Sequence, residues 1–314
     1  MAENQRRQCL YESLKVKTRS VGFVQSAKTG KRVKRMMDQM AGPTSKGKAK
    51  IIRRTFACRR NNLTIRGTEY RQEGGCRPAV IVSHGFMAFQ DTVRPYAKAM
   101  AEMGYVSYCF DFCGGCVING KSDGSTTEMS VLTEVQDLEA VIHYAQSREY
   151  VNPDEIVLMG CSQGGFVSAI AAARLHDQIS KLVLFYPALC IPDDARAGKM
   201  MFAKFDPDNI PDLIRCGPMK LGKCYVKDVI GLDPYQEIQD FSGDVLIVHG
   251  TKDSIVDIEY SKRAYERYLE NKGKKDEPRV VSFYPIDGGG HGFSKRHDRA
   301  AIEYLKQFLT AGSL

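Results

Sequence analysis

The sequence lacks any apolar run that approaches the roughly 20 residues needed to span a membrane. It also lacks, near its N-terminus, the apolar segment that forms the core of a secretory signal. Its ten cysteines are scattered through a chain of 314 residues, unlike the dense pattern of a small secreted disulfide scaffold. These absences predict a cytoplasmic protein with reduced thiols.

The sequence also has few cysteine or histidine pairs at the spacing that binds a metal ion. One C-x-x-C spacing is present, at Cys113 and Cys116, but the sequence has no second pair to complete a four-ligand site. The flanking segments lack the strand–helix–strand context of a thioredoxin-like redox motif. We therefore expect no metal site and no cofactor.

The positive charge of the chain is confined to its N-terminal extension. Residues 1–50 hold 13 Lys and Arg against 3 Asp and Glu, whereas the remaining residues hold 32 against 34. A solvated extension and an arm for nucleic acid or another anionic surface both fit this charge. Because the basic cluster at residues 31–35 has no interleaved aromatic residues, we favour the solvated extension and expect no nucleic-acid partner. Whether residues 1–50 are ordered stays open.

From residue 51 onward, strand-like segments alternate with helix-like segments. The first two strands, at residues 51–58 and 63–70, have the spacing of an antiparallel hairpin. The alternation after them predicts right-handed β-α-β units in a mostly parallel sheet flanked by helices, over residues 51–314. The further predicted strands are residues 79–82, 106–110, 156–159, 182–186, 245–248 and 280–284, and the predicted helices are residues 92–103, 134–148, 163–175, 258–271 and 299–310.

One connection is longer than the others. The segment from residue 191 to about residue 243 exceeds an ordinary link between strands. An insertion here would lie over the carboxyl ends of the strands, where ligands of open α/β sheets bind. We therefore predict a lid at about residues 191–232, followed by a core helix at residues 233–241. A surface excursion without a role in binding is the alternative.

A Gly-x-Ser-x-Gly turn stands between a predicted strand and a predicted helix. Residues 160–165 read Gly-Cys-Ser-Gln-Gly-Gly, and this context is typical of a nucleophile elbow. The glycines have a steric reason, since side chains two residues on either side of Ser162 would collide at so tight a turn. The helix after the turn directs its partially positive N-terminus at the serine. Ser162 is therefore the candidate nucleophile.

A serine hydroxyl needs an imidazole to accept its proton and a carboxylate to orient that imidazole. Asp253 follows the predicted strand at residues 245–248, and Asp257 is its nearest rival. His291 lies in a glycine-rich loop after the next strand, so the order Ser, Asp, His is that of an α/β-hydrolase. His249, at a strand end, suits packing and orientation of the loop that carries the acid.

The candidate oxyanion hole consists of two main-chain N–H groups. Gln163, directly after the nucleophile, is the first predicted donor. The second donor is predicted in the turn after the early strand, at Phe86.

Five motifs occur in a fixed order along the chain: His84-Gly85-Phe86, Phe110-Asp111-Phe112 with Lys121-Ser122-Asp123-Gly124, Gly160-Cys161-Ser162-Gln163-Gly164-Gly165, His249-Gly250-Thr251-Lys252-Asp253 and His291-Gly292-Phe293. With these motifs, the span from about residue 53 to residue 309 resembles the α/β-hydrolase superfamily. Within it, the chain is similar to the intracellular cinnamoyl (feruloyl) esterases of gut bacteria. In those esterases the lid grips the phenolic end of the ester, and the stretch at residues 206–212 is similar to part of that lid. The resemblance implies that Asp206 or Asp208 accepts a hydrogen bond from a substrate hydroxyl.

Two departures from that esterase pattern bear on specificity. The loop at residues 113–120 is longer, and Cys161 stands where a histidine is more usual. We predict a serine hydrolase of small-molecule carboxylic esters, with hydroxycinnamoyl esters as the candidate substrates. A peptidase or lipase-like acyl hydrolase on the same fold and a catalytically silent binding protein are the alternatives. A homodimer is left open.

Overall fold

The computed structural model describes residues 50–272 and 279–310. The basic extension predicted at residues 1–50 therefore lies, except for its last residue, outside the described residues. Among the described residues, no helix combines the length and apolarity needed to cross a bilayer.

The strands of the described residues are β1 (Ile51–Arg60), β2 (Leu63–Gln72), β3 (Arg77–Ser83), β4 (Val106–Asp111), β5 (Val151–Cys161), β6 (Lys181–Phe185), β7 (Lys199–Met200), β8 (Ala203–Lys204), β9 (Leu213–Cys216), β10 (Met219–Gly222), β11 (Asp244–Gly250) and β12 (Val281–Ile286). Eight of these strands form the central sheet, in the order β1-β2-β4-β3-β5-β6-β11-β12. The first two are the predicted hairpin, and β2 also runs antiparallel to β4, whereas all later pairs in this sheet are parallel. This confirms the predicted mostly parallel sheet.

Helices cover both faces of the sheet and enclose two apolar cores. The helices are α1 (Gln90–Glu102), α2 (Val131–Gln146), α3 (Gln163–Arg174), α4 (Ile191–Arg196), α5 (Lys223–Val229), α6 (Pro234–Glu237), α7 (Ile258–Lys272) and α8 (Lys295–Thr310). Helix α3, between β5 and β6, is buried along nearly its whole length, which explains its run of small alanines. Helix α2 begins at a capping box in which Ser130 and Thr133 satisfy each other's backbone N–H groups.

The long connection between β6 and β11 is an insertion with its own small elements. Helix α4 is followed by the hairpins β7-β8 and β9-β10, and then by helix α5. The helix predicted at residues 233–241 is wrong in length, because α6 ends at Glu237. Ile238 and Phe241 are fully buried although they lie beyond the end of α6. The apolar residues in this stretch therefore indicate burial and not a longer helix.

Candidate active site

Ser162 lies at a sharp turn between β5 and α3. Its φ of 54° and ψ of −122° are a conformation that residues other than glycine rarely adopt. Hydrogen bonds hold it there: the Ser162 N–H donates to the Phe185 carbonyl at 3.0 Å, and the Ser162 carbonyl accepts from Ala188 at 2.9 Å. The surrounding structure thus fixes a strained backbone that presents the serine hydroxyl at the carboxyl edge of the sheet.

The glycines beside Ser162 are required by close backbone contacts. A Cβ at Gly160 would lie 2.1 Å from the Gly164 carbonyl oxygen, and a Cβ at Gly164 would lie 2.3 Å from the His84 carbonyl oxygen. Neither distance can accommodate a methyl group. The steric reason predicted for these glycines is confirmed.

Three side chains from separate loops form one hydrogen-bonded chain. His291 Nε2 lies 2.9 Å from Ser162 Oγ, and His291 Nδ1 lies 2.8 Å from Asp253 Oδ2. Because a carboxylate only accepts, Nδ1 carries the proton and Nε2 is free to accept the proton of the serine hydroxyl. Asp253 follows β11 and His291 follows β12, and these neighbouring parallel strands end at the same edge as β5.

The Asp253 side chain is fully buried and accepts four hydrogen bonds. Its Oδ1 accepts from the N–H groups of Ile255 and Val256, and its Oδ2 accepts from His249 and His291. Burial alone would raise the pKa of this carboxyl, but the hydrogen bonds from both histidines and both amides hold it below its usual range. Asp253 therefore stays ionised wherever the folded protein is studied near neutral pH.

His249 holds the acid loop, as its position at a strand end suggested. Its Nδ1 lies 2.7 Å from Ser261 Oγ, and its Nε2 lies 3.0 Å from the Val256 carbonyl and 3.1 Å from Asp253 Oδ2. The rival carboxylate, Asp257, is exposed and accepts the Glu259 N–H at the start of α7. It makes no contact with His291 in the described hydrogen bonds.

The turn after β3 lies directly against the nucleophile. A Cβ at Gly85 would stand 3.1 Å from Ser162 Cβ, so the turn leaves little room for a side chain between its backbone and the serine. His84 anchors the turn, since its Nδ1–H donates to the Gly85 carbonyl at 2.8 Å and its Nε2 accepts from the Phe112 N–H at 3.2 Å. Burial lowers the pKa of His84, which keeps its ring neutral. Phe86 and Gln163, the two predicted oxyanion donors, both line the cavity beside Ser162.

Two cavities meet at Ser162. The first opens under the insertion and is mainly apolar; it is lined by Phe86, Ser162, Gln163, Ala188, Cys190, Ile191, Asp194, Met200, Met201, Tyr225, Ile255 and Val256. The second lies on the His291 side and is more polar; it is lined by Gly85, Phe86, Ala88, Thr92, Val93, Tyr96, Cys161, Ser162, Tyr186, His291, Gly292 and Asp298.

The structure does not bring Asp206 or Asp208 to either cavity. Both are exposed, and the Asp206 carboxylate accepts the Asp208 N–H in a local turn. The carboxylate that does line the first cavity is Asp194, in α4, where it pairs with Lys199 at 2.9 Å. Sequence reasoning missed Asp194 because the lid motif that suggested an acidic contact lay further along the insertion.

The C-x-x-C segment contributes to a polar cluster beside the turn after β3. His84, Asp111 and Cys116 bring possible metal-ligating atoms within 4.8 Å of one another. Both His84 nitrogens are engaged in the bonds to Gly85 and Phe112, and the Asp111 carboxylate accepts from Gln90 and Lys121 main-chain N–H groups. Burial raises the pKa of the Cys116 thiol, which disfavours the thiolate that binds metals. A metal ion would have to displace these bonds, so the donor set fits a structural role better.

Comparisons with known proteins bear on the fold that carries these residues. Residues 75–221 match the family model described as serine aminopeptidase, S33. A structure of Est1E from Butyrivibrio proteoclasticus with bound ferulic acid is 25% identical, covering 81% of this chain and 99% of that chain at a TM-score of 0.72. An esterase from Pyrococcus furiosus is 17% identical, covering 83% of this chain and 91% of that chain at a TM-score of 0.60, and supports the fold alone.

Curated relatives match over shorter spans. An uncharacterised 31.7 kDa protein of Escherichia coli is 30% identical over 39% of this chain, and the match spans 41% of that protein. The alpha/beta hydrolase domain-containing protein 17C of Xenopus tropicalis is 25% identical over 75% of this chain and 63% of its own length. Together the comparisons confirm the predicted α/β-hydrolase fold and the resemblance to esterases that share it.

Proposed function

We propose that the protein is a serine hydrolase that cleaves carboxylic esters with Ser162, His291 and Asp253 as its catalytic residues. The observation that carries this proposal is the unbroken chain of hydrogen bonds from Ser162 Oγ through His291 to a buried carboxylate. A silent binding protein would have no need for a strained serine held at hydrogen-bond distance from an oriented imidazole.

In the proposed mechanism, His291 Nε2 accepts the Ser162 proton while Oγ attacks the ester carbonyl carbon. The carbonyl π electrons move to its oxygen, and the N–H groups of Gln163 and Phe86 stabilise the negative charge. Collapse of this intermediate breaks the bond to the alcohol oxygen, which takes the proton from His291. Water then attacks the acyl-enzyme with His291 as base, releasing the acid and restoring Ser162.

We assign the two halves of the ester to the two cavities. The leaving alcohol must lie next to the imidazole that protonates it, so it occupies the cavity lined by His291. The acyl group then occupies the apolar cavity under the insertion. Asp194, in the wall of that cavity, replaces Asp206 and Asp208 as the residue proposed to accept a hydrogen bond from a substrate hydroxyl. This arrangement supports a hydroxycinnamoyl acyl group, whose ring is apolar and whose far end carries a hydroxyl.

A peptidase is the second candidate, because the matching family model carries that description. An aminopeptidase must bind the ammonium group of its substrate, which requires an unpaired carboxylate or similar acceptor. The Lys199 ammonium lies 2.9 Å from the Asp194 carboxylate and would repel a second ammonium group there, whereas it would not repel a neutral hydroxyl. We therefore place ester hydrolysis first.

Two measurements test this function. Labelling with a fluorophosphonate, followed by peptide mapping, should place one adduct on Ser162 and none on Ser162→Ala protein. A panel of feruloyl, acetyl, long-chain acyl and aminoacyl esters, together with aminoacyl anilides, then compares kcat/KM for each acyl group. Folded protein that is neither labelled nor active on any member would refute the catalytic proposal, and preference for the anilides would favour the peptidase.

The proposed role of Asp194 has its own test. Asp194→Asn should lower kcat/KM for a feruloyl ester about tenfold relative to the cinnamoyl ester that lacks the ring hydroxyl, since the acceptor changes from a charged carboxylate to a neutral amide oxygen and the hydrogen bond weakens. Asp206→Asn is the matched control and should leave this ratio unchanged. An equal effect of Asp194→Asn on both esters would contradict the assignment.

A further inference from the structure

Tyr225 connects the insertion to both proposed oxyanion donors. This residue of helix α5 is fully buried. Its hydroxyl donates a hydrogen bond to Gln163 Oε1, and its ring lies 5.9 Å from the Phe86 ring between centroids, tilted by 59°. One side chain of the insertion therefore contacts the two residues whose main-chain N–H groups would hold the oxyanion.

The Gln163 side chain is held at its other end as well. Its Nε2 donates to Glu134 Oε2 in helix α2 at 2.7 Å. Glu134 is 1% exposed, and burial raises the pKa of its carboxyl well above its usual range despite the bond from Gln163. The amide of Gln163 is thus clamped between the insertion on one side and the main domain on the other.

Helix α5, which carries Tyr225, is held in place by contacts with the main domain. The Ser130 hydroxyl, at the start of α2, donates to the Asp228 carboxylate of α5. Just before α5, a Cβ at Gly222 would lie 2.0 Å from the Thr127 carbonyl oxygen, which shows how closely the two segments pack. Val226 and Val229 of the same helix are fully buried. The position of Tyr225 is therefore fixed by the packing of helix α5 against the main domain.

The two hydrogen bonds to the Gln163 side chain act next to the oxyanion hole, where a small displacement of an N–H group changes the rate. Gln163 is the first residue of α3, and its N–H must be directed at the position the oxyanion takes up. Displacement of a reacting or stabilising group by 1 Å can cost about 10²-fold in rate. Fixing the Gln163 side chain at both ends restricts the rotation of its backbone, and the Tyr225 ring restricts the turn that carries Phe86.

We propose that Tyr225 is a positioning residue through which the insertion holds the oxyanion hole in its active geometry. This inference rests on the proposed serine hydrolase function. It assigns the insertion a part in transition-state stabilisation, in addition to covering the acyl group, because Tyr225 also lines the acyl cavity.

Tyr225→Phe is the test, since it removes the hydroxyl and keeps the ring against Phe86. We expect kcat to fall about tenfold with KM nearly unchanged, less than the roughly 10²-fold to 10³-fold loss on removing a donor outright. The fall should be equal for acetyl and feruloyl esters. A residue that only lined the acyl cavity would instead change KM, and more for the larger acyl group.

Tyr235→Phe is the matched control. Tyr235 lies in α6, just after the insertion's main elements, and its buried hydroxyl has no hydrogen-bond partner among the described residues. The same chemical change there should leave kcat, KM and the constants for inhibitor binding unchanged. A fall in kcat as large as that of Tyr225→Phe would show a general loss of packing and would overturn the proposal.

A transition-state analogue separates positioning from ground-state binding. Ser162 Oγ adds to the carbonyl carbon of a trifluoromethyl ketone, the serine proton passes to His291 Nε2, and the carbonyl π electrons move to the oxygen, so the adduct needs the oxyanion hole. Its inhibition constant should rise in parallel with the loss of kcat/KM in Tyr225→Phe, whereas the constant of the carboxylic acid product should not change. An unchanged ketone constant would overturn the proposal.

A double-mutant cycle tests the route through the Gln163 side chain. Gln163→Leu keeps the main-chain N–H and removes both side-chain hydrogen bonds, so it should lower kcat by itself. Tyr225→Phe should then add little in the Gln163→Leu background, because the bond it breaks is already absent. Effects that multiply would overturn the proposed route.

Separate outcomes test the catalytic function and the role of Tyr225. If wild-type protein is neither labelled at Ser162 nor active, the proposed function fails. If it is active and Tyr225→Phe equals wild type, only the positioning role fails. Should Tyr225→Phe not fold, as judged by thermal unfolding, Gln163→Leu carries the test, and an unchanged kcat in that variant overturns the proposal.

Discussion

Asp253→Asn removes one negative charge from the centre of the proposed catalytic chain while nearly preserving its shape. In the wild type, Oδ1 accepts two main-chain N–H groups at 2.9 and 3.0 Å, from Ile255 and Val256. An asparagine would keep its amide oxygen there, since its NH2 group cannot face two donors. The NH2 group must then point at His291 Nδ1 and His249 Nε2.

The consequence for His291 depends on its two nitrogens. An NH2 group opposite Nδ1 requires Nδ1 to accept, which moves the ring proton to Nε2. A protonated Nε2 donates to Ser162 Oγ and cannot take its proton. We expect kcat/KM to fall by about 10⁴-fold, equivalent to about 5.4 kcal/mol of transition-state stabilisation at 1.36 kcal/mol per factor of ten. His249 retains the Val256 carbonyl as acceptor, so the loop that carries residue 253 should stay in place.

The rate of fluorophosphonate labelling measures this loss without knowledge of the natural substrate, and hydrolysis of the best ester in the panel measures it again. Asp257→Asn is the control, because Asp257 is exposed and an asparagine can also accept the Glu259 N–H at the start of α7. Circular dichroism and thermal unfolding would establish that both variants fold. Wild-type labelling by Asp253→Asn, or a comparable loss in Asp257→Asn, would refute the assignment of the acid.

Two predictions concern stability. Between the ordinary pKa of a glutamate, near 4.3, and the raised folded pKa of Glu134, the folded state binds more protons than the unfolded state, so this group lowers stability as the pH rises. Glu134→Gln keeps an acceptor for Gln163, and its melting temperature should exceed that of the wild type by a margin that widens from pH 5 to pH 8; a constant margin would contradict the stated cause. Gly160→Ala would place a Cβ 2.1 Å from the Gly164 carbonyl oxygen and should lower the free energy of unfolding in urea by more than about 3 kcal/mol. Gly231→Ala, where a Cβ would meet no atom within 4 Å, should change it by less than about 1 kcal/mol, and equal effects would refute the steric argument.

Much of the fold was accessible from the sequence because its signals are local. Short apolar runs mark strands buried on both faces, and their alternation with helical segments leaves few topologies open. The hairpin of β1 and β2 and every predicted strand of the central sheet are present. The strands of the insertion could not be predicted, because each of the four has only two to four residues and so carries almost no periodic signal.

In the candidate site, too, the residues on the central sheet were predicted from the sequence and the residues of the insertion were not. Ser162, Asp253 and His291 each come after a strand, and neighbouring parallel strands bring the loops at their carboxyl ends to one edge of the sheet. Residues of the insertion have no such constraint. Asp206 and Asp208 matched a lid pattern but are exposed, whereas Asp194 lines the cavity under the insertion from α4.

The sequence by itself determined the α/β-hydrolase fold, the elbow at Ser162 and the order of its partners, because strand length, glycine placement and chain order are properties of neighbouring residues. Only the tertiary structure decided which distant residues contact Gln163, the residue that follows Ser162. Tyr225 lies 62 positions from Gln163, and Glu134 lies 29 positions from it. Contacts over such separations depend on how α2, α3 and α5 pack together and on where each side chain points, and no local pattern encodes either.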